Sequence, residues 1–327
     1  MIQSTRILLL TSLAMIAFAS NSLLCRAALK HNDIDAASFT LVRIFSGAVA
    51  LWLLVGLQKR ITTPNNRDSR KRLPDSVARW QSFRSGSWFS ALALFVYAAA
   101  FSSAYLALSA GTGALLLFGA VQTTMILWGM YEGERFTMIQ VVGFIVAVCG
   151  LVVLVFPGLS APPLLGSILM LAAGVAWGVY SLRGRGERDA TTATTGNFVR
   201  AVPFAVVLTI GFAAWIHVDL AGFTYALVSG AITSGVGYVI WYKALPGLTA
   251  ASAATVQLSV PVLAATGGIL LLGEPITMRY LVASIAVLGG IAIIVATPHQ
   301  QVNPREITTA QASRHQKTRR FRAGCDK

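Results

Sequence analysis

Apolar runs long enough to cross a bilayer recur ten times along this 327-residue sequence, at 7–29, 37–57, 87–107, 112–130, 138–156, 164–182, 198–216, 221–242, 249–272 and 278–297. Hydrocarbon offers a backbone no water to bond, so a crossing segment must satisfy its own amides, and runs of about twenty residues have the length of a helix. With 55% of residues hydrophobic and 12% charged, a water-soluble core could not hide this much apolar surface. The charges are also clumped: Arg26 stands alone between Ile7 and Leu29, whereas Lys59, Arg60, Arg67, Arg70, Lys71, Arg72, Arg79 and Arg84 share one connection. The predicted fold class is an all-α polytopic membrane protein with ten transmembrane helices.

Lys and Arg set the orientation, because they accumulate on the cytoplasmic side. With the N-terminus inside, all but four of the 26 basic residues (Arg26, Lys30, Arg43 and Arg279) fall in cytoplasmic segments, and both termini are cytoplasmic. The connection from Pro157 to Pro163 is uncharged, as an outer loop should be. The expected location is an inner membrane. Arg6 followed by an apolar stretch and Ala17-Phe18-Ala19 imitates a cleaved signal, but removing it would leave the first half one helix short of the second, so it is read as a span. A net charge of +14 and a basic stretch at Arg314, Lys317, Arg319, Arg320 and Arg322 would suit nucleic acid, yet the same bias places them, and contact with anionic lipid is expected instead.

A shift of 140 positions lays Gly133-Glu134-Arg135-Phe136-Thr137-Met138 on Gly273-Glu274-Pro275-Ile276-Thr277-Met278, and Gly150 on Gly290. A looser alignment puts Leu41-Val42-Arg43 on Phe198-Val199-Arg200. The division is then 1–156, 157–297 and a basic cytoplasmic tail at 298–327. Five spans per half is an odd number, so the copies must lie upside down relative to one another. Inverted halves can exchange conformations and open a central site to each side in turn, which is the physical basis for expecting transport.

Trp241-Tyr242-Lys243-Ala244-Leu245, Pro261 within an apolar run, Gly273-Glu274, Gly289-Gly290 and Trp177-Gly178-Val179-Tyr180 follow one another in an order that resembles the EamA-type family of the drug/metabolite transporter superfamily, over about residues 7–297. The resemblance implies a ten-helix fold of two inverted five-helix repeats that exports amino acids, related metabolites or toxic compounds from bacteria. Phe18-Ala19-Ser20-Asn21 departs from the Trp-Gly pair often found there, and Val121 stands where the second copy has Pro261.

Polar and aromatic side chains at membrane depth supply the candidate substrate-binding residues: Asn21, Arg43, Gln122, Trp177, Tyr180, Tyr238 and Gln257. A guanidinium two turns inside span 2 is costly in lipid unless it snorkels, pairs or faces water, so Arg43 either lines the path or reaches headgroups and carbonyls. Asn21, Gln122 and Gln257 offer donors and acceptors to solute or to a neighbouring helix. Trp177, Tyr180, Tyr238 and Trp241 could wall a cavity, while an interfacial anchor is the favoured role for Trp241 and Tyr242. Arg200, near the inner face, would flank the path opposite Arg43. Glu134 and Glu274, each beside a helix start at Thr137 or Thr277, read as structural, with Thr137 and Gln140 forming a capping box.

No phosphate-binding Gly-rich loop ending in Lys-Ser or Lys-Thr is present, and no acidic residue lies deep in a span, so neither ATP hydrolysis by this chain nor a buried proton-carrying carboxylate is expected. His31, His217, His299 and His315 all fall outside the spans, and Cys25, Cys149 and Cys325 form no ligand pattern. No cofactor, metal or nucleic-acid partner is therefore expected, and no enzyme activity. The sequence-based function is a secondary transporter, read as an exporter of small metabolites by alternating access, with multidrug efflux as the alternative and a membrane enzyme or scaffold behind it. Spans 5 and 10 are expected to serve as support or as a homodimer surface.

Overall fold

The computed structural model describes residues 2–31, 33–62, 85–133, 136–158, 161–184, 187, 189–248, 253 and 256–297; the basic connection from 63 to 84, Glu134 and the tail from 298 lie outside them. Among the described residues the chain is helical throughout, with one isolated bridge between Ile34 and Val218. Among the described residues nine helices are, by length and composition, long and apolar enough to cross a membrane. They are α1 (Ile2–Lys30), α2 (Ala36–Thr62), α3 (Trp88–Tyr105), α4 (Ala110–Tyr131), α5 (Met138–Val155), α6 (Leu164–Gly184), α7 (Ala190–Gly211), α8 (Leu220–Gly247) and α10 (Met278–Ala296). A shorter apolar helix, α9 (Ser259–Leu272), occupies the remaining predicted span, whose first residues include undescribed positions.

Local chemistry explains where the helices begin. Asp35 Oδ1 accepts from the amides of Ala37 and Ser38 at 3.0 and 2.9 Å and starts α2, while Asp219 Oδ1 accepts from Gly222 N at 2.7 Å and starts α8. The expected capping box at Thr137 and Gln140 is present at the start of α5. α7 begins at Ala190, eight residues before the apolar run at 198, because Asp189 caps it and its first two turns carry Thr194, Thr195 and Asn197. Those three side chains are buried against the bundle, so their polarity hid the first part of the helix from hydropathy.

α8 changes pitch as it crosses, with a π-helical stretch at Ser229–Val236 between two α-helical parts. Such widened turns occur often at functional sites. α1 packs on α8 and α9, α2 on α7 and α8, α3 on α6 and α7, and α4 on α6 and α9. α5 and α10 pack on each other so closely that a Cβ built on Gly143 would lie 2.7 Å from the Gly290 carbonyl oxygen. Their outer faces expose Met138, Ile139, Val142 and Ile145 on α5 and Met278, Val282 and Ile285 on α10. Side chains of this kind belong against lipid tails, which is where a polytopic membrane protein would put them.

Candidate functional site

Arg43, on α2, is 2% exposed and is the largest fully buried side chain among the described residues. The snorkelling alternative is therefore overturned: the guanidinium stays in the bundle instead of reaching headgroups. Its Nη2 donates to the Tyr97 hydroxyl on α3 at 2.8 Å, and its Nε lies 3.4 Å from Ser234 Oγ in the π-helical stretch of α8. The guanidinium also stands over the ring faces of Phe101 and Tyr97, with centroids 4.8 and 5.1 Å away. Ring faces carry partial negative charge and offset part of the desolvation cost. Among the described residues Nη1 has no hydrogen-bond partner and the one ion pair lies elsewhere, so none of their carboxylates compensates this charge.

Asn21, on α1, is drawn to the same point. Its Nδ2 lies 3.4 Å from the Tyr97 hydroxyl as donor, and its Oδ1 accepts from Ser229 Oγ at 2.7 Å, with the Thr233 hydroxyl 3.3 Å from the same oxygen. Tyr97 is thus the hinge of the cluster, accepting from helices on two sides. The rings continue from it: Trp177 on α6 lies 4.8 Å from Tyr97 between centroids, and 5.3 Å from both Tyr180 and Tyr238. Phe18 meets Tyr238 and Trp241 edge-on at 5.8 and 6.0 Å.

Five of the seven candidates, Asn21, Arg43, Trp177, Tyr180 and Tyr238, are thereby brought into one connected cluster. No hydrogen bond or ring contact among the described residues joins Gln122 or Gln257 to it: Gln122 is buried on α4, and Gln257 is half-buried. Arg200 is also apart, donating to the carbonyls of Ser85 and Gly196 beside the Trp88 ring. Trp241 is buried inside the bundle instead of anchored at an interface. Tyr97, Phe101, Ser229, Thr233 and Ser234 were missed. A tyrosine hydroxyl at the centre of span 87–107, which must find a partner in a dry bundle, was the signal for the first of them.

Hydrogen-bonded crossings lie on either side of the cluster. At one end Arg26 Nε pairs with Glu274 Oε1 at 2.9 Å, Arg26 Nη1 donates to the Tyr105 carbonyl at 2.8 Å, and Glu274 Oε2 accepts from Ala110 N at 2.8 Å. Glu274 is structural as expected, but it caps the start of α4 and not that of its own neighbouring helix. Asp35 N and His217 O at 2.9 Å, with Asp219 N and Asp33 O at 2.9 Å, tie the adjoining loops. At the other end the Tyr180 hydroxyl donates to Thr194 Oγ1, which donates to the Tyr242 hydroxyl, each at 3.2 Å. Arg183 Nε donates to Ser90 Oγ at 3.1 Å there. A crevice of about 10 Å³ between Arg183, Thr194, Asn197 and Tyr242 has room for little more than a water. A wider opening of about 180 Å³ sits at the Glu274 end among Leu108, Pro162, Ile269 and Tyr280, and none of the cluster residues lines it.

Comparison with known proteins adds a family and a fold. Residues 164–296 match the EamA-like transporter family. An uncharacterized protein of Pseudomonas aeruginosa is 56% identical over 291 residues, covering 89% of this chain and 95% of its own. A protein of Streptantibioticus cattleyicolor named as a probable terminal-alkyne amino-acid exporter is 29% identical over 192 residues, covering 57% of this chain and 64% of that one. An uncharacterized transporter of Archaeoglobus fulgidus is also 29% identical over 192 residues, covering 58% and 68%. One solved crystal structure superposes with a TM-score of 0.59 at 18% identity, over 89% of this chain and 97% of that one, a likeness of fold alone.

Proposed function

We propose that this chain, which belongs to the EamA-like transporter family, carries a small organic solute along a path centred on Arg43, exposing that site first to one side of the membrane and then to the other. The observation that carries the reading is a fully buried, uncompensated guanidinium where α2 of the first half meets α8 of the second. A structural arginine would end in a carboxylate or in carbonyls, whereas a charge left half-satisfied at membrane depth suits a transient partner.

Alternating access between 1–156 and 157–297 is supported by how the helices pair. Exchanging each helix of one half for its counterpart five places on turns α1 on α8 into α6 on α3, α1 on α9 into α6 on α4, and α2 on α8 into α7 on α3. Three further pairs, α2 with α7, α4 with α9 and α5 with α10, are their own counterparts. Gly133 and Gly273, which the 140-residue shift superimposes, both have positive φ, at 94° and 61°. Thr137 and Thr277 both cap the helices that follow. These likenesses favour an inverted repeat, and the odd number of spans per half then sets the two halves in opposite senses.

The orientation that puts both termini in the cytoplasm of a bacterial inner membrane follows from the Lys and Arg bias, and it assigns the Arg26–Glu274 crossing to the outer face. Export of amino-acid-like or other small solutes is the favoured direction, in keeping with the exporter name of the Streptantibioticus cattleyicolor relative. Multidrug efflux is less well supported, because a cationic drug would face Arg43.

The test is purified protein in liposomes. A carrier moves labelled solute with saturation and counterflow, an enzyme alters the solute, and a scaffold does neither. Asn21→Ala, Arg43→Ala and Trp177→Ala should each abolish transport with membrane abundance unchanged. Full activity in all three would take the path away from this cluster.

A further inference from the structure

We infer that the Arg43 cluster recognises its solute by a carboxylate, and that a positive charge on the solute is not what it holds; the inference rests on the transport reading above. Arg43 is 2% exposed, yet among the described residues its Nη1 has no partner. A charge-assisted donor in a dry site strongly favours an anion. Tyr97 adds a second donor. Its oxygen accepts from Arg43 Nη2 at 2.8 Å and from Asn21 Nδ2 at 3.4 Å, and among the described residues its own proton is given to no acceptor.

Acceptors for an ammonium are scarce by comparison. Asn21 Oδ1 already accepts from Ser229, no Asp or Glu among the described residues belongs to the cluster, and Glu274 is held by Arg26 and Ala110 N. The net charge of the site is therefore that of Arg43. Two free donors match the two oxygens of a carboxylate, whereas a phosphate would leave buried oxygens unpaired. The rings of Phe101, Trp177 and Tyr238 give the solute's body an apolar wall. An α-amino group is tolerated but not required.

One carbon skeleton with different heads tests this on the full chain in detergent at neutral pH: hexanoate, 2-aminohexanoate, hexanamide, hexylamine and hexyl phosphate, followed by tryptophan fluorescence and thermal melting. Hexanoate and 2-aminohexanoate should bind comparably, and the amide and amine should bind roughly ten- to hundred-fold more weakly. Arg43→Gln should remove the preference. Should that variant fold poorly, Asn21→Asp provides a second measurement, because residues 21 and 43 meet at one oxygen and lie within about 6 Å of each other through it. A carboxylate there would occupy the guanidinium and displace hexanoate while raising the melting temperature. Equal binding of hexanamide, preference for hexylamine or hexyl phosphate, or hexanoate binding unchanged in Arg43→Gln or in Asn21→Asp would each overturn the assignment. Arg43-dependent binding of 2-aminohexanoate with no counterflow of it in liposomes would uphold the carboxylate site and sink the transport reading instead.

Discussion

Gly230 on α8 presses its backbone directly on the Arg43 carbonyl of α2, so a Cβ at position 230 would overlap that oxygen and the neighbouring Ser46 hydroxyl. The contact sets how closely the π-helical stretch approaches Arg43, because any side chain at 230 would hold the two backbones apart. Gly230→Ala should push the helices apart, lowering thermal stability by about 1–3 kcal/mol and reducing transport beyond what the stability loss explains. Thermal melting and liposome transport, measured on the same preparation, decide it. Unchanged melting and transport would show that the helices tolerate separation.

Tyr97→Phe keeps the ring against Trp177 and Phe101 but removes the oxygen that receives Arg43 and Asn21. Two buried donors lose their acceptor, a cost of about 1–3 kcal/mol for each polar group left unsatisfied. The expected outcome is transport reduced by tenfold or more with the protein still folded. A Tyr97→Phe carrier running at the wild-type rate would show that the hydroxyl is a bystander.

The Arg26–Glu274 pair joins the two halves at one end of the bundle, so alternating access requires it to part whenever that end opens. Arg26→Cys combined with Glu274→Cys should stop transport when the two thiols are bridged by a short bifunctional reagent, and reduction of a cleavable bridge should restore it. Arg26→Leu and Glu274→Leu should each destabilise the fold, and the double variant should lose less than the sum, since each single change strands its partner. Transport that continues through the bridged form would exclude opening at that end.

Gln140 serves as a control remote from the cluster. Its Oε1 accepts from Thr137 N at 2.9 Å, and its Nε2 donates to the carbonyls of Ile294 and Thr297 at 3.3 and 3.2 Å, stitching the start of α5 to the end of α10. Gln140→Leu should cost about 1–3 kcal/mol of stability, from the lost cap and the stranded carbonyls. Transport per folded molecule should stay near wild type. A collapse of transport at normal stability would mean that α5 and α10 move with the solute.

Composition and periodicity determined a great deal by themselves. The alternation of apolar runs with basic connections fixed an all-helical membrane protein, because hydrocarbon permits few other backbones. The paired Gly-Glu-x-x-Thr-Met stretches pointed to a duplication, and Thr137 with Gln140 disclosed the cap that starts α5, since both signals are local in sequence. The candidate site was only half legible. Arg43, Asn21 and Trp177 stood out as polar or aromatic groups at depth, but Gln122 and Gln257 stood out equally and lie outside the contacts of the cluster. Tertiary structure decided which of them meet. Arg43 finds Tyr97 across 54 positions of sequence and Ser234 across 191. Meetings of that range depend on how each helix is rotated and on where Gly230 lets two backbones touch, and hydropathy, which measures local composition, carries no information about either.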